Sequence, residues 1–168
     1  MDTNISVRLA GMQDFEKICQ LIEDAVRVMN ENMILQWDEL YPSQKIIRDD
    51  ILNNQMYLGE IEKQIACVFV LNQHCDEQYN SGEWKYTESS FMVIHRLCVN
   101  PEFQNQGVGT RTMQIIEDML KNDGIKAIKL DAFSQNPYAL RMYEKLGYAK
   151  VGEATWRKGL FYLYEKRI

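Results

Sequence analysis

Ile5 to Ala10 alternates apolar and polar positions as a short strand does, and the period then lengthens. Phe15, Ile18, Ile22, Ala25, Val26 and Met29 recur at helical spacing, predicting an amphipathic helix with one buried face. ILQWDELYPS interrupts it with a proline-terminated turn, after which Ser43 can cap a second helix through Ile46, Ile47, Ile51 and Leu52. MYLGEIE and QIACVFVLNQ, joined around Glu62 and Lys63, predict an antiparallel hairpin. HCDEQYNSGEWKYTESS is polar, contains glycine and lacks a period, so it is expected to be a loop. SFMVIHRLCV is apolar enough for a central strand. Met113, Ile116 and Leu120 form another helical stripe closing at Gly124, and IKAIKLDAF predicts a strand. Asn136 and Pro137 open a short helix, YALRMYEKLG, ended by Gly147, and LFYLYEKRI predicts the last strand. Helices alternating with strands indicate an α/β fold.

A chain of 168 residues with 46% hydrophobic content buries roughly 70% of its unfolded surface in one core, so a single domain over residues 1–168 is expected. The amino terminus has no basic flank followed by an apolar core, and no stretch approaches the ~20 apolar residues of a bilayer span. The expectation is a cytoplasmic protein without a membrane partner. Cys19, Cys67, Cys75 and Cys98 stand singly, which favours free thiols over disulfides and gives no metal-ligand spacing. A net charge of -5 disfavours nucleic acid as a partner.

The chemistry concentrates in HRLCVNPEFQNQGVGT, where an apolar strand passes into a polar turn with glycines at 107 and 109. A strand-to-helix turn points unpaired N–H groups outward, and the helix dipole adds positive character there. Absent β-carbons at Gly107 and Gly109 let an anion approach those donors, and Thr110 offers a hydroxyl; a diphosphate fits. The plainer reading is a tight turn. A phosphate loop of the G-x-x-x-x-G-K-[ST] type fails because Thr110 and Arg111 follow Gly109, so the phosphate-reaching lysine is missing. A dinucleotide fingerprint finds an acid at Asp131, but Thr112 replaces its third glycine and NPEFQNQ separates strand from turn.

Gln104-Asn105-Gln106-Gly107-Val108-Gly109 resembles the Q/R-x-x-G-x-G/A pyrophosphate loop of the GNAT superfamily of acyl-CoA-dependent N-acyltransferases. LDAFSQNPYALRMYEKLGY resembles that family's second segment, and the two occur in the family's order with a helix between them. The resemblance, clear over about residues 94–148, implies a mixed central sheet splayed open to hold acyl-CoA, with helices on both faces. It implies acetyl-CoA as co-substrate, a pantetheine arm on the backbone of Leu97, Cys98 and Val99, and pyrophosphate on residues 105–110. Gln104 stands where arginine is commoner in the family, which leaves phosphate charge to the helix dipole and to Arg111 or Arg141.

The implied chemistry is attack of an amine on a thioester, which needs a base, an oxyanion donor and an acid for the thiolate. Tyr143 matches the family's general acid; it is otherwise a core aromatic in register with Leu140 and Leu146. Asn136 matches a CoA-contacting asparagine and is also an ordinary helix cap. Asp131 matches a position of a catalytic glutamate in enzymes that acetylate protein amino termini, and His95 a histidine of arylalkylamine acetyltransferases; either, or a water relay, is the base. Trp37, Tyr41, Trp156 and Phe161 are candidates for the acceptor wall or for the core. The expected partner is a small-molecule or peptide amine, and a homodimer stays open. The rival reading is a catalytically silent acyl-CoA-binding or sensing domain.

Overall fold

The computed structural model describes residues 4–168; the first three residues of the amino terminus considered above lie outside them. Strands β1 (Ser6–Leu9), β2 (Met56–Ile61), β3 (Gln64–Asn72), β4 (Phe91–Val99), β5 (Ala127–Phe133), β6 (Ala149–Trp156) and β7 (Gly159–Arg167) alternate with helices α1 (Phe15–Glu31), α2 (Gln44–Leu52), α3 (Val108–Asn122) and α4 (Pro137–Lys145). The fold is α/β, with the strands in one open mixed sheet of order β1-β2-β3-β4-β5-β7-β6. Contacts group the chain into two compact units, one of residues up to Leu71 with Arg96–Met113, the other of Asn72–His95 with Gln114–Ile168.

In the first unit β1, β2 and β3 are antiparallel neighbours. Glu62 and Lys63, both at positive φ, form the tight β2–β3 turn anticipated from their polarity. The stripe on α1 is buried as its spacing requires: Phe15, Ile18, Ile22 and Ala25 pack with Ile47 and Ile51 of α2, Met56 and Leu58 of β2, and Val68 and Val70 of β3. Ser43 caps α2 by accepting from the Ile46 N–H at 3.3 Å. Arg8 of β1 reaches Asp14, in the turn before α1, at 2.8 and 2.9 Å and Glu60 of β2 at 3.1 Å, fastening the start of the chain to the hairpin.

In the second unit β4 and β5 are parallel over three rows, Phe91–Ala127 to Val93–Lys129. The other side of β5 pairs antiparallel with β7 along its whole length, and β6 pairs antiparallel with β7. Strand β6 was not anticipated. A register shift between Lys150 and Gly152 spaces its buried residues Val151 and Ala154 three apart, so the two-residue period that identifies strands is absent from the sequence there. Glu117 of α3 accepts from Lys166 Nζ at 2.9 Å through both oxygens and from the Tyr148 hydroxyl at 3.1 Å, a satisfied buried charge that fixes α3 to β7.

The expected loop after β3 contains a short 3-10 turn, Glu77–Ser81, and is tied down along its length. Ser81 Oγ donates to the Glu153 carbonyl at 2.7 Å and the Glu83 N–H to the Val151 carbonyl at 2.7 Å. The approach is close enough that a β-carbon at Gly152 would lie 3.0 Å from Gly82 Cα.

Candidate active site

The glycine segment lies in the first unit. β4 is followed by Asn100, whose N–H donates to the Ala66 carbonyl at 2.8 Å and whose side-chain amide donates to the Ile65 carbonyl at 2.9 Å. Asn100 Oδ1 also caps the 3-10 turn Pro101–Phe103. The chain then swings through Asn105 at φ 60° and Gly107 at φ 75°, and α3 begins with the Arg111 N–H bonded to the Gly107 carbonyl at 3.0 Å. Left-handed φ is one reason for glycine at 107. A second is space: a β-carbon there would meet nothing within 4 Å, so the backbone faces an opening beside the first turn of α3. Asn105, Gln106, Gly107 and Thr110 are exposed, whereas Val108 is buried and holds the helix start to the core. A left-handed backbone, open at the start of a helix, leaves room here for an anion. Thr112, where a dinucleotide fingerprint would have glycine, is buried; its hydroxyl donates to the Val108 carbonyl at 2.8 Å and lies 3.3 Å from Cys67 Sγ.

Along β4, the Cys98 side chain is part of the first unit's core, and burial raises its thiol pKa to about 12. Only its backbone remains for a ligand, whereas Leu97 and Val99 are half-buried. Arg96 has φ 53°, which breaks the extended backbone of β4 between His95 and Leu97. Its guanidinium forms a two-toothed pair with Asp50 of α2 at 2.6 and 2.8 Å and donates to the Tyr41 hydroxyl at 2.9 Å. Trp37 is a core side chain, while Tyr41 is partly exposed.

The second unit holds the candidate acid and bases. His95 Nε2 lies 2.7 Å from Asn72 Oδ1, an oxygen that also accepts the His74 N–H at 2.9 Å. An accepting oxygen requires Nε2 to carry the proton, so this nitrogen is a donor rather than a base. Asp131 on β5 accepts from the Tyr79 hydroxyl at 2.7 Å. Tyr143 on α4 is buried, edge-on to Tyr148 with ring centres 5.8 Å apart and 6.0 Å from Tyr164. Burial above all, then the charge of Asp131 and the neighbouring Tyr164, raises its phenol pKa well above the ordinary value. Tyr143 therefore keeps its proton, as a hydrogen-bond donor must. Asn136 Oδ1 accepts from the Ala139 N–H at 3.2 Å, the expected cap of α4. Trp156 and Phe161 stack edge to face at 5.1 Å, and Phe161 continues to Phe133 at 5.1 Å. Among the described residues no group of His, Cys, Asp and Glu is placed to hold a metal, and no helix is long and apolar enough to cross a membrane.

Tyr79 escaped the sequence reading. Its signal was the presence of Tyr79, Trp84 and Tyr86 in a seventeen-residue polar stretch without a single aliphatic side chain. Large rings in such a stretch have to be buried against something.

A family model described as "Acetyltransferase (GNAT) family" matches residues 26–148. The S-(2-succino)cysteine N-acetyltransferase of Bacillus subtilis is 23% identical over 164 residues, covering 95% of this chain and 93% of that protein. A GNAT-family acetyltransferase from Streptococcus agalactiae superposes with a TM-score of 0.85 at 22% identity, over 98% of this chain and 95% of its own. A PaiA N-acetyltransferase from Thermoplasma acidophilum, solved in complex with coenzyme A, superposes with a TM-score of 0.73 at 17% identity, over 98% of this chain and 99% of its own.

Proposed function

The chain belongs to the GNAT acetyltransferase family, and on that premise we propose that it transfers an acetyl group from acetyl-CoA to a primary amine by direct attack in a ternary complex. The observation that carries this reading is the open backbone at Gly107, left-handed and directly preceding α3, where a diphosphate finds outward N–H groups and the positive end of a helix dipole. Residues 105–110 hold the pyrophosphate in this reading, and the backbone of Leu97, Cys98 and Val99 the pantetheine arm. Acetyl-CoA supplies the activated thioester; this chain's residues orient the amine and manage the protons.

Two protons have to be handled. The attacking nitrogen must lose one as the tetrahedral adduct becomes an amide, and the departing thiolate must gain one or be stabilised by a donor. Tyr143, kept protonated by burial and by Asp131, is the donor to the thiolate. Asp131 accepts the amine's proton, directly or through water. His95, with its Nε2 proton on Asn72, would have to act through Nδ1 and is the alternative base. An α-amine, with a pKa of ~7.8, already carries an appreciable neutral fraction at neutral pH, whereas a lysine-like amine at ~10.4 depends more on the base. The Bacillus subtilis relative, by its name, acts on a cysteine derivative, which supports a small amino-acid-like amine as the acceptor class here.

The test is thiol release by the purified protein with acetyl-CoA against small amines, amino-acid derivatives, polyamines, aminoglycosides and peptide amino termini. Turnover with at least one amine is expected. A protein that binds acetyl-CoA but releases no CoA with any of them is instead a silent acyl-CoA-binding domain.

A further inference from the structure

The segment from Glu77 to Lys85 covers one face of the β5–β7 ladder, and that face is charged. Lys129 and Asp131 alternate on β5, and Glu165 is the cross-strand partner of Lys129. Each meets a group of the segment. The Lys129 ammonium lies 4.7 Å from the centre of the Trp84 ring, Glu165 accepts the Lys85 N–H at 2.6 Å, and Asp131 accepts the Tyr79 hydroxyl at 2.7 Å. Tyr79 is held from every side: it stacks on Trp84 with ring centres 5.4 Å apart, its carbonyl accepts the Trp84 indole N–H at 2.7 Å, and Trp156 packs edge-on at 6.2 Å. Only 3% of Tyr79 is exposed. A tyrosine so constrained has one place to put its hydroxyl.

We propose that Tyr79 is a positioning residue for the transfer reaction, fixing the Asp131 carboxylate in one orientation and holding it ionised to take the amine's proton. This rests on the acetyltransferase reading and on Asp131 as its base. A buried phenol donating to a carboxylate stabilises the charged form, because the hydrogen bond is stronger to the anion than to the acid. Burial, then the charge of Asp131, raises the Tyr79 pKa far above its ordinary value, so Tyr79 stays neutral and donates. The same ionised Asp131 disfavours a second anion at Tyr143 and so preserves the proton that the thiolate needs. One hydrogen bond thereby sets the base and, through it, the acid. The titratable groups facing the pair are Cys75 and Asp76 beside Tyr79, Tyr143 from α4, and Tyr164 from β7 behind Tyr143; Lys129 is the nearby cation on β5.

The Tyr79→Phe variant removes the hydroxyl and keeps the ring in its stack. Carbon-13 NMR titration of the Asp131 carboxylate in the ligand-free protein should show its midpoint moved up by about one pH unit, the size expected for a lost hydrogen bond to a charge. The acidic limb of kcat/KM should move up with it, while KM for acetyl-CoA and the acetyl-CoA-induced rise in Tm stay at wild-type values. If Tyr79→Phe does not fold, a ring-fluorinated tyrosine at position 79, a stronger donor of nearly equal volume, should move the midpoint and the limb down instead. An unmoved midpoint in the folded variant overturns the role, as does a moved midpoint with an unmoved limb. Wild-type protein that releases no CoA with any amine overturns the acetyltransferase reading itself, a result distinct from either.

Discussion

Arg96 grips Asp50 through two hydrogen bonds, of 2.6 and 2.8 Å, at the point in β4 where the backbone turns left-handed. Both side chains are about nine-tenths buried, at 11% and 9% exposure. A non-glycine residue at φ 53° persists only where its surroundings hold it, and the ion pair to α2 provides that hold. The strand's kink, beside Leu97, Cys98 and Val99, is thereby tied to a helix far away in sequence.

Truncating Arg96 leaves Asp50 buried without its partner, which costs about 3–5 kcal/mol. Arg96→Met should lose that much stability in urea unfolding. Arg96→Met combined with Asp50→Leu should recover a large part of it, since the uncompensated charge is then gone. A double variant no better than the single one would show that the kink, not the pair, carries the cost.

Acetyl-CoA at ~100 times its dissociation constant should stabilise the folded protein by about 2.7 kcal/mol and raise Tm accordingly. Gly107→Val should abolish that rise but also lower the starting Tm, because valine is strained at φ 75°. Gly107→Asn is the cleaner probe: asparagine tolerates the left-handed region and puts its side chain into the open space. Loss of the acetyl-CoA-induced rise with a near-native starting Tm is the expected result, measured by thermal shift.

Tyr143→Phe keeps the ring against Tyr148 and Tyr164 and removes the hydroxyl. Turnover should fall on the order of 10²-fold with the acetyl-CoA rise in Tm intact. Wild-type turnover under conditions where chemistry limits the rate would return Tyr143 to the core.

Asp14 carries an acid-sensitive part of the stability. Its hydrogen bonds to Arg8, aided by the Gly11 N–H at 2.9 Å, hold its folded pKa below the ordinary carboxylate value near ~3.9. The contribution is therefore fully present above the unfolded pKa and disappears as pH falls through the folded one. Asp14→Asn should lower Tm at neutral pH and narrow the wild-type advantage as the pH is taken below about 4, followed by thermal melts across pH.

Most elements were legible because each satisfies a local rule. The α1 stripe, the Ser43 and Asn136 caps and the Glu62-Lys63 turn are short-range physics: a side chain three residues away or a positive φ in a two-residue turn. The two ordered motifs named the family for the same reason, since Gly107 and the segment around Tyr143 are each contiguous in sequence. Strand β6 was not legible, because its bulge replaces the period of two by a spacing of three.

What the sequence by itself determined was the α/β class, the buried stripe of α1, the caps of α2 and α4 and the family. Tertiary structure alone decided that the kink at Arg96 is locked by Asp50, that Trp37 is core, and that His95 Nε2 is committed to Asn72. It also decided that a tyrosine from a polar stretch closes on Asp131, fifty-two residues away. Such pairings depend on which surfaces meet when strands align, and a hydrogen bond between distant residues leaves no period, cap or turn signal in the chain that makes it.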